Sequence, residues 1–286
     1  LHPGRQVPLQ CQLSPLRRIA RGIFSGNFYS ETLAMTTRIQ VIFPDLSNDV
    51  TPVITGTPRV LYLLHGLGGD CEEWTRFSKI EYYAKKYNFI IILPEVQRSF
   101  YCDTSYGPRY FTYIADELPE ICSRWFRLDE SRENTFIAGE SMGGYGAMKA
   151  ALSRPQRFAA AASLSGALDY AALCCRILNS EWRDMQPREL RGINGTVGLP
   201  EKQNDLLDLL RQTAHAPVLP RLLQLCGTED FLYEDNQTFR KAAQEAGCDI
   251  TYLEGPGDHE WPYWDKAIQH AFQFFCGLDL HSTPIY

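Results

Sequence analysis

Short apolar runs recur along the chain, and most of them end close to a glycine or a proline. Runs of this kind are typical of strands that are covered on both faces of a sheet. They predict strands at 37–44, 59–64, 89–94, 135–138, 159–166, 219–226 and 249–253. Helical spacing of apolar positions predicts helices at 78–87, 110–126, 234–246 and 261–275, the second bent at Pro119. Because strand and helix alternate, we predict an α/β fold with a mostly parallel central sheet and helices on both faces.

Two segments depart from this alternation. Residues 167–217 contain helical fragments and no clear strand, and we expect a small cap insertion over the carboxyl ends of the strands. Residues 1–22 carry several prolines and arginines without any sustained periodicity, and they lack the apolar core of a signal peptide. We expect them to be a disordered arm or a leader added to the natural chain. Residues 23–286 would then form a single domain.

Composition narrows the class of protein. With 286 residues, of which 44% are hydrophobic, the chain can bury a large core. The net charge of −6 argues against a nucleic acid or an anionic membrane surface as partner. No apolar run is long enough to span a bilayer. The nine cysteines include no Cys-x-x-Cys pair, and several have apolar neighbours, which favours a reducing cytoplasm.

One motif organises the rest of the chain. The predicted strand 135–138 runs into Gly139-Glu140-Ser141-Met142-Gly143, and an Ala- and Leu-rich helical segment follows. Gly-x-Ser-x-Gly between a strand and a helix is the pattern of a nucleophile elbow, in which the two glycines permit a very sharp turn. Ser141 is therefore the candidate nucleophile. The alternative is a glycine-rich turn that carries a serine without chemical function.

A serine hydroxyl becomes a good nucleophile only when a base takes its proton. The chain has six histidines. Four of them lie near the termini, in the predicted cap or inside the last helix: His2, His281, His215 and His270. His65 precedes a glycine turn, where we expect it to hold a loop by hydrogen bonds. His259 follows the last strand in a Gly-Pro-Gly-Asp-His-Glu-Trp loop, and we predict that it reaches back to Ser141 as the base.

The base in turn needs an acid to orient it, and the loop after strand 219–226 offers one. We predict Asp230, with Glu229 and Asp235 as local competitors. Asp258 adjoins His259, but the side chains of neighbours in an extended loop usually point apart. The order Ser141, Asp230, His259 is the order of serine, acid and histidine found in hydrolases of this kind.

Two backbone N–H groups should hold the oxyanion that forms when the nucleophile attacks. One is that of Met142, directly after the serine. The other should come from the turn after the strand 59–64, where His65-Gly66-Leu67-Gly68-Gly69 places the N–H of Leu67.

These motifs together resemble one family. Leu64-His65-Gly66-Leu67-Gly68-Gly69, Gly139 to Ala147, Gly227-Thr228-Glu229-Asp230 and Gly257 to Trp261 look like the esterase D-like branch of the α/β-hydrolases. That branch includes tributyrin and acetyl esterases, S-formylglutathione hydrolases and feruloyl esterases. The resemblance implies an α/β-hydrolase fold and a carboxylesterase that uses no metal and no cofactor. The formylglutathione hydrolases usually carry histidine after Ser-Met-Gly-Gly, where this chain has Tyr145.

The expected partner is a small ester. We predict that Trp74, Tyr145, Trp261 and the cap contact it and favour short acyl chains or flat aromatic acyl groups. Aromatic side chains of the cap could also serve a homo-oligomer interface. Transfer of the acyl group to an alcohol and hydrolysis of a thioester use the same triad and stay open. A binding module with an inactive site is the non-enzymatic alternative.

Overall fold

The structure, a computed structural model, describes residues 22–44, 50–213 and 216–280. The predicted leader therefore lies outside the described residues, except for Gly22, which begins the first strand. The described residues form one eight-stranded sheet in the order β1-β2-β4-β3-β5-β6-β7-β8. Its strands are β1 Gly22–Ser30, β2 Met35–Phe43, β3 Arg59–Leu64, β4 Phe89–Pro94, β5 Thr135–Glu140, β6 Ala160–Leu164, β7 Arg221–Gly227 and β8 Ile250–Gly255.

Most of the sheet is parallel, as predicted. The strands β3 to β8 pair in parallel, while β1 and β2 form an antiparallel hairpin that joins the sheet at β4. The carboxyl ends of β3, β5 and β7 therefore meet at one edge, where ligands bind in open sheets of this type. The sequence did not predict β1, because most of its side chains are exposed and they show no regular alternation of apolar and polar types.

Helices cover both faces. Their bounds are α1 Glu73–Phe77, α2 Ile80–Tyr87, α3 Tyr110–Thr112, α4 Leu118–Phe126, α5 Met142–Ser153, α6 Tyr170–Leu178, α7 Pro187–Asn194, α8 Leu206–Thr213, α9 Tyr233–Glu245 and α10 Trp261–Cys276. Alternate side chains of β3 enter two separate cores: Tyr62 faces α4 and α5, and Leu61 faces α2 and α10. None of the helices in the described ranges is long and apolar enough to cross a membrane.

The predicted helix 110–126 is irregular next to Pro119. The irregularity lies before the proline, where Tyr113–Glu117 forms a π-helical turn between α3 and α4. There the N–H of Leu118 donates to the carbonyl of Tyr113, five residues earlier. Pro119 is the second residue of α4, directly after this turn, and its ring nitrogen has no N–H to donate to the turn before it.

The segment 167–217 contains α6, α7, a 3₁₀ turn at Lys202–Asn204 and α8. Its last part belongs to the helical layer, because α8 buries Leu206, Leu209 and Leu210 and packs on α5. Trp182 and Asp184, between α6 and α7, reach the carboxyl edge of the sheet and line a cavity there. That the segment acts as a cap over the active site stays a prediction.

Candidate active site

Ser141 occupies a strained turn between β5 and α5. Its backbone has φ 53° and ψ −117°, a region that residues with side chains rarely adopt and that is concentrated at functional sites. The turn needs glycine on both sides. A Cβ on Gly139 would lie 2.5 Å from the carbonyl of Gly143, and a Cβ on Gly143 would lie 2.5 Å from the carbonyl oxygen of Leu64. The close approach of α5 to β3 and β5 therefore presents the Ser141 hydroxyl at the edge of the sheet.

The structure brings the three predicted side chains into one hydrogen-bonded chain. The Ser141 hydroxyl donates to Nε2 of His259 at 2.9 Å. Nδ1 of His259 in turn donates to the carboxylate of Asp230, at 3.0 Å from Oδ1 and 2.9 Å from Oδ2. The Asp230 side chain is fully buried, and its Oδ1 also accepts the N–H of Leu232 at 2.8 Å. This arrangement fixes the imidazole tautomer that leaves Nε2 free to take a proton from the serine.

The competing acids have other partners. Glu229 accepts the N–H of Gly257, and Asp258 accepts the backbone N–H of its neighbour His259. Asp235 forms an ion pair with Arg176. None of these hydrogen bonds involves the imidazole ring of His259, whereas both oxygens of Asp230 lie within hydrogen-bond distance of it.

His65 holds the loop after β3, as predicted. It is buried, its Nδ1 donates to the carbonyl of Gly66 at 2.8 Å, and its Nε2 accepts the N–H of Val96 at 3.1 Å. Burial lowers the pKa of His65, which favours the neutral ring that these two hydrogen bonds require. The residue thereby ties the loop that contains Leu67 to the end of β4.

The two predicted oxyanion donors are the backbone N–H groups of Met142, directly after Ser141, and of Leu67, in the wall of its cavity. Met142 is the first residue of α5, so its N–H has no carbonyl partner within the helix. Gly66 and Leu67 line the wall of the cavity that contains Ser141. The start of a helix favours negative charge, which adds to the effect of the two N–H groups.

A cavity of about 300 Å³ opens over Ser141. Its lining residues are Gly66, Leu67, Glu73, Arg98, Glu140, Ser141, Trp182, Asp184, Phe231, His259 and Trp264. Among the described residues, no group of three or more histidine, cysteine, aspartate or glutamate side chains is arranged to hold a metal ion. The eight cysteines in the described ranges are all unpaired thiols.

The predicted substrate contacts need correction. Trp74 is fully buried, and its indole N–H donates to the carbonyl of Leu64. Tyr145 is also fully buried, and its hydroxyl donates to the carbonyl of Asn204 at 2.6 Å. Trp261 packs edge-on against Trp74 at 5.1 Å between ring centres. None of these three aromatic side chains is among those that line the cavity over Ser141.

The aromatic wall is formed instead by Trp182, Phe231 and Trp264. The ring of Phe231 lies 4.5 Å from that of His259, and Trp264 meets the other side of the imidazole edge-on at 4.9 Å. A sequence signal was available for both, because Phe231 directly follows Asp230 and Trp264 follows Trp261 by one helical turn. Glu73 and Glu140 were missed as well, although Glu140 directly precedes the serine.

Comparison with known proteins decides the family. Residues 30–275 match the family described as putative esterase. The chain belongs to that family. This esterase is a serine hydrolase that acts on carboxylic ester bonds, and it has the α/β-hydrolase fold of the esterase D-like branch that its motifs predicted.

Three relatives show how far the similarity of this esterase extends. It is 31% identical over 262 residues to an acetyl esterase of Caldicellulosiruptor saccharolyticus, which covers 88% of this chain and 97% of the relative. A fluorophosphonate-binding serine hydrolase of Staphylococcus aureus is 33% identical with a TM-score of 0.78, and the match covers 90% of this chain and 99% of that one. An S-formylglutathione hydrolase of the same organism is 32% identical with a TM-score of 0.76, over 89% and 98% of the two chains.

Proposed function

We propose that this esterase hydrolyses small esters with short or flat aromatic acyl groups, through an acyl-enzyme on Ser141. The observation that carries the proposal is the chain of hydrogen bonds from Ser141 through His259 to Asp230, at 2.9 Å and 2.9 Å, at the floor of an open cavity. In that chain Ser141 is the nucleophile, His259 the base and Asp230 the group that orients the imidazole.

In the first half of the reaction, the Ser141 oxygen attacks the ester carbonyl while Nε2 of His259 takes the hydroxyl proton. Charge develops on the carbonyl oxygen, and the N–H groups of Met142 and Leu67 stabilise it, each by a few kcal/mol by analogy with other oxyanion donors. The buried Asp230 stabilises the imidazolium. His259 then gives its proton to the leaving alcohol, and the acyl group remains on Ser141.

In the second half, a water molecule takes the place of the alcohol. His259 removes its proton, the water oxygen attacks the acyl carbonyl, and the second oxyanion is held by the same two N–H groups. Return of the proton to Ser141 releases the acid and restores the enzyme. Both halves of the reaction therefore use the same base, Nε2 of His259.

The cavity supports a small acyl group. A volume of about 300 Å³ is at the low end of the range of small-molecule pockets, and Trp182, Phe231 and Trp264 give it flat apolar walls. The similarity to a protein described as an acetyl esterase also supports a short acyl group. A thioester is the second candidate, because one relative is an S-formylglutathione hydrolase.

The test measures kcat/KM for p-nitrophenyl acetate, butyrate and octanoate, methyl ferulate and S-formylglutathione, with wild type and Ser141→Ala. We expect hydrolysis of the acetate and butyrate esters, slow hydrolysis of the octanoate ester, and a loss of about a thousandfold or more in Ser141→Ala. A preference for S-formylglutathione would make the enzyme a thioesterase. Equal inactivity of both folded proteins on every substrate would overturn the proposal.

A further inference from the structure

Two carboxyl groups in the wall of the cavity take no part in the mechanism above. Glu140 is the residue before Ser141, at the end of β5, and it is only 1% exposed. Glu73 is the first residue of α1, and it lines the same cavity. A carboxyl group that is removed from water is costly unless it is hydrogen-bonded or neutralised.

Both carboxyl groups pack directly under the glycine-rich loop that follows β3. A Cβ on Gly66 would lie 2.4 Å and 2.5 Å from the two carboxyl oxygens of Glu140. A Cβ on Gly69 would lie 1.7 Å from Oε2 of Glu73. The two glycines therefore let the loop approach these carboxyl groups closely. The loop between them contains Leu67, whose N–H is the proposed second oxyanion donor.

One oxygen of each carboxyl group is buried without a hydrogen-bond donor. Neither Oε1 of Glu140 nor Oε2 of Glu73 has a partner among the described residues. Burial raises the pKa of Glu140 well above its usual range, and the charge of Glu73 adds to that rise. Burial likewise raises the pKa of Glu73 to about 7. The N–H of Gly66 opposes both shifts without cancelling them.

The surrounding charges do not neutralise the pair. Asp70 and Glu95 add negative charge near Glu73, while Arg76, whose positive charge acts against that effect, already pairs with Asp70 at 2.9 Å. The other groups that face the pair are neutral or engaged. Those groups are the neutral ring of His65, the buried hydroxyl of Tyr101, the Ser141–His259 pair, and Arg98, which donates to Glu189.

We propose that Glu73 and Glu140 share one proton and act as a positioning pair for the loop that supplies the oxyanion donor. One carboxylic acid donating to one carboxylate gives a partner to each unpaired oxygen and leaves one negative charge instead of two. Loss of the shared proton adds a second charge beside the oxyanion site. The second carboxylate charge repels the negative charge that develops on the substrate in the transition state. It also pushes the loop that contains Leu67 away from β5.

The kinetic consequence rests on the proposed function. We expect kcat/KM of the wild type for p-nitrophenyl acetate, measured from pH 5 to pH 10, to fall at least tenfold on the alkaline side. Glu140→Gln keeps the shape of the side chain and donates an amide N–H to Glu73, but it has no proton to lose. The alkaline fall that comes from this pair should therefore disappear, while the acid side of the profile stays unchanged.

Glu72→Gln is the matched control. Glu72 precedes Glu73, is partly exposed and pairs with Arg38, so its variant should keep the wild-type profile. If Glu140→Gln does not fold, Glu73→Gln tests the same expectation. A purely structural role would lower kcat at every pH without moving the alkaline fall. That result, or superimposed profiles of wild type and Glu140→Gln, would overturn the proposal.

A second readout needs no substrate. Because folding raises the pKa of both groups, the stability they contribute is complete below their unfolded pKa, about 4.3, and is lost as pH rises through their folded pKa, which is about 7 for Glu73. We expect the melting temperature of the wild type to fall over that range and that of Glu140→Gln to fall less. If the wild type cleaves no ester, the proposed function fails, while equal melting profiles would overturn the shared proton.

Discussion

At the scale of single residues, the order of motifs along the chain was enough to predict the three triad residues. The direction in which a side chain points could not be predicted. Ser141, Asp230 and His259 follow three different parallel strands, so the topology alone places them at one edge of the sheet. Trp74 was predicted to contact substrate because it lies near the glycine loop. Its ring turns instead into the core, where its N–H finds the carbonyl of Leu64, and no sequence pattern signals that choice.

Asp230→Asn tests the assignment of the orienting acid. An amide at this position donates a proton where Nδ1 of His259 must donate, so the imidazole takes the wrong tautomer. We expect kcat for p-nitrophenyl acetate to fall by a factor on the order of a thousand to ten thousand. Asp258→Asn is the matched control, since its carboxylate accepts the backbone N–H of His259 and not the N–H of the imidazole ring. A comparable loss in both variants would show that Asp230 has no special role.

At the scale of elements, buried parallel strands could be predicted to within a residue or two. The strand β4 agrees with its predicted bounds because all six of its residues are buried and form one apolar run. The edge strand β1 gave no such signal. The helices of segment 167–217 were visible only as fragments, and the packing of α8 on α5 depends on contacts between distant parts of the chain.

The aromatic wall of the cavity, which segment 167–217 helps to form, should limit the length of the acyl chain. Trp182 stands between α6 and α7, and replacing it by alanine enlarges the cavity without changing the triad. We expect Trp182→Ala to raise kcat/KM for p-nitrophenyl octanoate relative to the acetate by about tenfold, since each added methylene gains apolar contact. Trp125→Ala is the control, because Trp125 lies on α4 and is half exposed. An unchanged ratio in Trp182→Ala would place the acyl group elsewhere.

At the scale of the whole molecule, the order of strands explains why one edge holds all the chemistry. The loops after β3, β5, β7 and β8 supply Leu67, Ser141, Asp230 and His259 to that edge. The alternation of strand and helix was enough to predict this arrangement. The presence of Glu73 and Glu140 in the wall of one cavity was not predictable, because the two residues lie far apart in the sequence.

The most direct test of the central claim is covalent labelling of the folded protein with a fluorophosphonate probe, followed by intact-mass measurement and peptide mapping. An activated serine attacks the phosphorus and keeps the label. We expect one probe per chain, attached to Ser141, none in Ser141→Ala, and full labelling of Ser153→Ala, which changes a serine at the far end of α5. A folded wild type that stays unlabelled, or a label on another serine, would contradict the assignment of Ser141 as the nucleophile.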